Sequence, residues 1–278
     1  MAKSKRRGTL SAQVATVLAG LSATGKTFFS LDDFAAGMGW SRPRASKLLH
    51  QLQESGWVAR IIRGKYLIVP LEAGPESAWS EDSLLVASHL AEPAAVAYWS
   101  ACHYWNWTEQ VPRTVFVQTP QKKMHNTKTV LGVRYRFVRV QPTKFFGTVK
   151  RSAGQGQFTV TDREKTLVDA LDHPELCGGI GQVVEMLPTA AQAVNWERVE
   201  EHLKRLGSGA AYKRLGALVE HLGEKARISD RAARIERWHS LLTGGYAPLE
   251  PRRPMIGPAN ARWRVRVNVP GVLSEGRP

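Results

Sequence analysis

Residues 28–69 contain two helical segments followed by a basic hairpin, and this succession constrains the fold more than any other feature of the chain. Apolar residues recur at helical spacing in LDDFAAGMG after Ser30 and in RPRASKLLHQLQESG after Ser41, and serine is a common helix cap. The β-rich run WVARIIRGKYLIV follows and is broken at Arg63 and Gly64. This order predicts a winged helix-turn-helix, whose second helix enters the DNA major groove.

The second helix of this unit is predicted to be amphipathic. Its apolar stripe consists of Ala45, Leu48, Leu49 and Leu52. Arginine and lysine make the commonest specific contacts with guanine, so Arg44 and Lys47 are the first candidates for base readout. The cations of the hairpin are candidates for phosphate contacts. The predicted DNA contacts are Ser41, Arg42, Arg44, Ser46, Lys47 and His50 on the helix and Arg60, Arg63 and Lys65 in the hairpin. The alternative is a solvated face on a small domain that binds only protein.

The charge of the chain favours a polyanionic partner. It has 39 Lys and Arg residues against 24 Asp and Glu residues, a net charge of +15 at pH 7. Such an excess attracts DNA, although acidic lipid or RNA would be attracted as well. The first residues form a basic arm that could follow the minor groove, or serve only as a disordered solubilising tail. Its cations are Lys3, Lys5, Arg6 and Arg7.

A second basic stretch extends from Gln110 to Thr161, with no acidic residue between them. Its cations are Arg113, Lys122, Lys123, Lys128, Arg134, Arg136, Arg139, Lys144, Lys150 and Arg151. The first seven of these are expected to form a second basic surface, which could contact DNA, RNA or an acidic protein. A solvated basic surface with no partner is the alternative.

The whole chain is expected to be α+β, with two domains divided within LEAGPESAWSED. Residues 1–75 would be the winged helix-turn-helix with its basic arm, and residues 76–278 a larger α+β domain with antiparallel strands and C-terminal helices. Strands are predicted over 114–119, 132–140 and 157–160, and helices over 82–107, 180–187, 196–206, 210–222 and 229–242.

Two local patterns in the second domain make sharper predictions. Thr161 and Glu164 are spaced as a capping box that opens the helix DREKTLVDALDH, with Leu167, Ala170 and Leu171 turned inward. The tail ARWRVRVNVP alternates strictly and predicts a half-buried strand. Its inner side chains would be Trp263, Val265, Val267 and Val269, and its outer ones Arg262, Arg264, Arg266 and Asn268.

No catalytic or metal site and no cofactor is predicted. The acids Asp162, Glu164, Asp169 and Asp172 do not converge on one helix face, so capping and solvation explain them. His173 and Cys177 have a spacing that a metal could use, but no second ligand pair accompanies them.

The segment GLSATGKT, residues 20–27, matches the phosphate-binding pattern G-x-x-x-x-G-K-[ST]. That loop must follow a buried strand and open a helix, whereas here a helical stripe precedes it and a strand-like segment follows. Nucleotide binding through Gly25, Lys26 and Thr27 is therefore the less favoured alternative.

A cytoplasmic location is expected. Cys102 and Cys177 are far apart in the sequence, which is typical of free thiols in a reducing compartment. No apolar run approaches the ~20 residues that cross a bilayer. The charged, partly apolar start has some features of a secretory signal, but Gln13 and Thr16 interrupt its apolar character.

The chain resembles the AbiEi-type antitoxins, transcriptional regulators of type IV toxin–antitoxin systems. The resemblance depends on the winged helix, on YWSA…WTEQVP before the strand TVFVQT, and on DREKTLVDAL followed by Gly178, Gly179 and Ile180. Where the family usually has Ser-Ala-Leu and Gly-Leu-Thr, this chain has Ser-Ala-Cys at 100–102 and Asn-Trp-Thr at 106–108.

This resemblance implies a non-enzymatic protein with two tasks. The winged helix would bind inverted repeats in double-stranded DNA at its own promoter and repress the operon. The second domain would counteract a toxin that resembles a nucleotidyltransferase, with or without direct contact, and the protein could be a monomer in solution or a dimer on DNA. The alternative is a winged-helix repressor that senses a small ligand and has no toxin partner.

Overall fold

The structure, a computed structural model, describes residues 9–24, 27–69, 83–122, 125–153 and 156–273. The chain divides into two compact units. The first runs to Glu92 and includes Lys128–Arg134 and Lys150–Phe158, and the second comprises Pro93–Thr127, Tyr135–Val149 and the chain from Thr159 onward. The predicted α+β class is confirmed. The predicted domain boundary, residues 71–82, lies outside the described residues.

The first unit contains the predicted winged helix-turn-helix. Its elements are α1 (Ala12–Ala23), β1 (Phe28–Ser30), α2 (Leu31–Met38), α3 (Arg42–Glu54), β2 (Val58–Ile62), β3 (Lys65–Ile68) and α4 (Ser83–Leu90). The sheet has the order β1-β3-β2 and is antiparallel. Val14 and Leu18 of α1 pack with Phe34 of α2 and Leu49 of α3 in one apolar core. Helix α1 is therefore part of this fold and is the helical stripe predicted before the phosphate-loop pattern, with Val14 and Leu18 on its buried side.

The helix caps of the first unit agree with the sequence in one case and differ in another. Ser30 and Asp33 form the predicted capping box, in which the Asp33 N–H donates to Ser30 Oγ at 3.0 Å and the Ser30 N–H to Asp33 Oδ2 at 2.8 Å. Ser41 occupies the N-cap position of α3, but its side chain makes no capping hydrogen bond, so that part of the prediction is wrong. Pro43 is the second residue of α3 and has no N–H to donate.

The elements after Glu92 form a larger sheet and a group of helices. The strands are β4 (Ala95–Val96), β5 (Thr114–Thr119), β6 (Thr127–Val130), β7 (Val133–Arg139), β8 (Thr148–Ala153), β9 (Gly156–Thr161), β10 (Ala247–Pro248), β11 (Ala259–Asn260) and β12 (Val265–Arg266). The helices are α5 (Tyr98–Tyr104), α6 (Arg163–Asp172), α7 (Ile180–Ala193), α8 (Trp196–Leu206), α9 (Gly209–Leu222) and α10 (Arg231–Ser240), with 3-10 turns at Pro142–Lys144, Pro174–Leu176 and Gly223–Ala226.

Six of these strands form a sheet with the order β6-β7-β5-β4-β9-β8. Strand β4 pairs antiparallel with β5 but parallel with β9. The sheet therefore contains a parallel pair, which the prediction of antiparallel strands did not include. The continuous helix predicted over 82–107 is wrong, because α4 and α5 are separated by Pro93 and β4. Proline in a helix interior removes a backbone donor and clashes with the preceding turn.

Helix α6 begins with a different cap from the one predicted. Asp162, not Thr161, is the N-cap, and its Oδ1 accepts from the Lys165 N–H at 2.7 Å. Thr161 ends β9, and its hydroxyl lies 2.8 Å from that of Thr166. Glu164 Oε1 accepts from the Asn195 N–H at 2.9 Å instead of bonding within its own helix. The predicted inner residues are fully buried; they are Leu167, Ala170 and Leu171.

In the described part of the chain, the predicted tail strand is reduced to two residues, Val265 and Arg266 of β12. Trp263 and Val265 are buried as predicted. Arg264 has a φ of 52°, which interrupts an extended backbone. Asn268, predicted to face outward, is buried; it accepts from the Glu250 N–H at 2.9 Å and donates to the Glu250 carbonyl at 2.8 Å.

His89 of α4 makes the stability of the first unit depend on pH. Its ring stacks on Phe28 with the centroids 3.9 Å apart. Burial, together with the charge of Lys65, lowers the pKa of His89 from 6.5 to about 4. Between these values the unfolded chain binds the proton more readily, so stability decreases as pH falls from 6.5 towards about 4.

We expect His89→Phe, which keeps the stacking, to flatten this acid-side decrease. The measurement is the urea midpoint of unfolding at a series of pH values. His125→Phe, which replaces an exposed histidine, is the matched control. If the urea midpoint falls equally with decreasing pH in wild type and in His89→Phe, His89 is not the source of the acid-side decrease.

Candidate nucleic-acid interface

Helix α3 turns one face into the core and leaves the other exposed, as predicted. Ala45, Leu49 and Leu52 are buried, and Leu48 is half-buried against the same core. The exposed side chains between the N-cap and residue 51 are those of Ser41, Arg42, Pro43, Arg44, Ser46, Lys47, His50 and Gln51. The structure thus places every candidate of the predicted recognition helix at the surface, while their contacts with DNA stay a prediction.

The arginines of α3 are held in different ways. The Cζ of Arg44 lies 3.8 Å from the ring centroid of Trp40, and Trp40 itself packs, partly buried, against the core. A cation over an indole face is attracted by the ring quadrupole, which orients the guanidinium before any ligand binds. Arg42 forms a 2.6 Å ion pair with Asp32, with both side chains more than 60% exposed. The guanidinium of Arg44 is therefore preorganised for contact with a ligand. The guanidinium of Arg42 would have to leave the Asp32 carboxylate before it could bind a phosphate.

Strands β2 and β3 form the wing, which is tied to the start of α2. The two strands are joined by Arg63 and Gly64, and the φ of 77° at Gly64 is one that glycine adopts without strain. The Gly64 carbonyl accepts from the Leu31 N–H at 2.8 Å. The side chains of Arg60 and Arg63 are exposed. Lys65 is half-exposed, and its Nζ lies 4.0 Å from a carboxylate oxygen of Glu92.

The remaining predicted contacts are distributed over several places. The basic arm, with Lys3, Lys5, Arg6 and Arg7, lies outside the described residues, and so does Lys123. The predicted second basic surface is divided between the two units. Of its members, Lys128 and Arg134 belong to the first unit, and Arg113, Lys122, Arg136 and Arg139 to the second. Of the other cations of the basic stretch, Lys150 and Arg151 belong to the first unit and Lys144 to the second.

The alternative chemistries find little support among the described residues. Helix α1 precedes the phosphate-loop pattern and β1 follows it, the reverse of the strand-then-helix order that such a loop needs; Gly25 and Lys26 themselves are not described. Cys102 and Cys177 are free and buried. No group of three or more His, Cys, Asp or Glu side chains in the described ranges could hold a metal ion. No helix in that part of the chain is long and apolar enough to span a membrane.

The residues that hold the candidate contacts in place were not predicted, and two acids differ from their prediction. Trp40, Asp32 and Glu92 are the partners of Arg44, Arg42 and Lys65. A signal for the first was present, because Trp40 and Arg44 are four residues apart at the start of a helix. Asp169 and Glu164, expected to be solvated or to cap their helix, are both buried. Asp169 pairs with Lys165, and Glu164 accepts from the Asn195 N–H, so that explanation is wrong for both.

An exposed basic recognition helix beside an exposed basic wing defines a winged-helix DNA-binding regulator. The family model described as "Transcriptional regulator, AbiEi antitoxin" matches residues 19–69, from the second half of α1 to the end of the wing. The predicted resemblance to the AbiEi-type antitoxins is thereby confirmed for this segment of the chain.

The fold of the whole chain is also found in a solved structure. The crystal structure of the RV2827C protein from Mycobacterium tuberculosis superimposes with a TM-score of 0.69 at 16% sequence identity. The match covers 95% of this chain and 94% of that one. At this identity the likeness concerns the fold alone. A sequence comparison with curated proteins finds no match.

Proposed function

We propose that this protein is a cytoplasmic, non-enzymatic autorepressor and antitoxin that binds inverted repeats in its own promoter. The observation that carries the DNA-binding part is the exposed face of α3, on which Arg44 is held over Trp40 and Lys47 is open to solvent. Its opposite face is anchored in the core, so the helix is presented rigidly to a groove.

The division of labour within this surface follows from the chemistry of its side chains. Arg44 and Lys47 read bases in the major groove, because a guanidinium or ammonium matches the acceptors of guanine. Arg60 and Arg63 on the wing contact phosphates, which sets the register of the protein on the duplex but carries no sequence information. Two copies on an inverted repeat would place two α3 helices on one side of the DNA, about one helical turn apart.

The antitoxin task is assigned to the second unit. It is supported by the family match of the N-terminal segment and by the resemblance of DREKTLVDAL, residues 162–171, to the family pattern. In this proposal the second unit counteracts a nucleotidyltransferase-like toxin, and no catalytic step is performed by the chain itself.

A promoter fusion tests repression, and a growth assay tests antitoxicity. The DNA upstream of the gene is fused to a reporter, and the chain is supplied from a second promoter. Repression should be lost when the inverted repeats are scrambled. Growth arrest by the neighbouring toxin gene should be relieved by wild type and equally by a variant with Arg44 and Lys47 replaced by alanine. Reporter activity that does not change when the chain is supplied would contradict the repressor task. Growth arrest that the chain does not relieve would contradict the antitoxin task.

One observation favours the second candidate, a ligand-sensing repressor. A cavity of about 610 Å³ in the second unit is lined in part by Leu203, Tyr212 and Leu241. Glu197 and Glu201 also line it. The volume is in the range of small-molecule sites. A neighbouring gene that encodes no toxin, together with a metabolite that releases the protein from its operator, would favour this candidate.

A further inference from the structure

The hairpin formed by β6 and β7 contacts the wing of the winged helix. The Lys128 ammonium on β6 donates a hydrogen bond to the backbone carbonyl of Ile61 on β2. Lys128–Arg134 and Lys150–Phe158 belong to the same compact unit as the wing, although they are more than 50 residues away from it in the sequence. The DNA-binding unit is therefore not made from the N-terminal residues alone.

The reason for this contact lies in the wing itself. The pairing of β2 with β3 shifts register between Arg60 and Ile62, so Ile61 is the extra residue of a β-bulge. An extra residue is left unpaired in the ladder, and its carbonyl needs another donor. Lys128 supplies that donor, which fixes the β6–β7 hairpin beside the cations of the wing.

We propose that this hairpin and the end of β8, which belongs to the same unit as the wing, extend the phosphate-binding surface of the wing, with Arg134 and Lys150 contacting the DNA backbone. The inference rests on the proposed function, because it adds contacts to the same DNA. Both side chains are exposed. No ion pair involving either one is present in the described part of the chain.

The charge of these segments favours a polyanion over any other occupant. Arg134 and Lys150 join Arg60, Arg63 and Lys128 in one unit, and no acidic residue occurs between Gln110 and Thr161 to compensate them. Gathering like charges costs free energy, which a partner with regularly spaced negative charges offsets. Released counterions then contribute to the binding free energy.

The other side chains on these strands also suit the sugar–phosphate backbone. Thr129 on β6 and Ser152 on β8, both in the first unit, are exposed hydroxyl donors. Such hydroxyls, like arginine and lysine, commonly contact phosphate oxygens. The surface lacks exposed amide side chains within β6 and β8, the type that reads adenine, so its contribution is to affinity and orientation rather than to sequence preference.

The test uses the full-length protein and three charge-neutralising variants. Arg134→Gln and Lys150→Gln each remove one proposed phosphate contact. Arg139→Gln is the matched control, because it is an exposed arginine on the same strand β7 but belongs to the second unit. Dissociation constants are measured against salt concentration for the upstream DNA and for a scrambled duplex of the same length.

We expect Arg134→Gln and Lys150→Gln each to lower the slope of log K against log salt by about 0.9, equally on both duplexes. Arg139→Gln should keep the wild-type slope. If wild type binds the upstream DNA and both test variants keep its slope, the inference is overturned and the proposed function stands. Weaker binding of these variants to the upstream DNA alone would also overturn the inference, because it would mean that the side chains read bases. A wild type that binds neither duplex overturns the proposed function and the inference together.

Discussion

Replacement of Arg44 by alanine is expected to weaken binding to the operator by about 1–3 kcal/mol more than it weakens binding to scrambled DNA. The side chain lies on the exposed face of α3 and is held over Trp40, so little conformational entropy is lost when it contacts a base. Alanine removes the guanidinium but preserves the helix. The measurement is the ratio of the two dissociation constants at one fixed salt concentration.

Arg63→Ala is the matched comparison for this prediction. Arg63 lies in the turn of the wing and is exposed. A phosphate contact there contributes to both duplexes alike, so the ratio of the two constants should stay unchanged while both bindings weaken. Equal losses from Arg44→Ala on both duplexes would contradict the assignment of Arg44 to base readout.

The second large effect is expected on stability, at the ion pair of Lys165 and Asp169. Both side chains are buried, at 0% and 2% exposure, and they are one turn apart on α6. Gln118 Nε2 also approaches the Asp169 carboxylate, at 3.5 Å. Replacing Lys165 by methionine leaves the buried carboxylate without its cation, which costs about 3–5 kcal/mol in the free energy of unfolding.

A double variant separates the pair from the packing around it. Lys165→Met combined with Asp169→Leu removes both charges and should recover much of the lost stability, because an apolar pair of similar volume avoids the desolvation cost. Arg42→Ala breaks an exposed pair and should change stability by about 1 kcal/mol or less. Chemical denaturation measures all three. A single Lys165→Met variant as stable as wild type would contradict this account of the pair.

The winged helix was predictable because its signals are local. The capping box of Ser30 and Asp33, the apolar stripe of α3 and the turn at Gly64 each depend on residues within a few positions of one another. The side-chain orientation along α3 followed from the same periodicity. Periodicity does not explain the missing hydrogen bond of Ser41, because Pro43 removes only the second backbone donor of α3 and Arg44 keeps the third.

The larger sheet could not be predicted in full, because several of its strands depend on distant partners. Strands β6 and β8 are polar and lie at the two edges, so they carry no apolar alternation. The burial of Asp169 depends on the packing of other helices against α6, which periodicity on one helix does not reveal. The bond between Lys128 and Ile61 joins residues 67 positions apart.

The central claim, that this chain reads a DNA sequence through its winged helix, is tested most directly by equilibrium binding of the full-length protein. The upstream DNA of its own gene and a scrambled duplex are compared across a salt series. We expect a clear preference for the upstream DNA that persists as salt is raised, because base contacts depend on salt less than phosphate contacts do. Equal affinity for both duplexes with a steep salt dependence would contradict the claim and show that the charge acts without sequence preference.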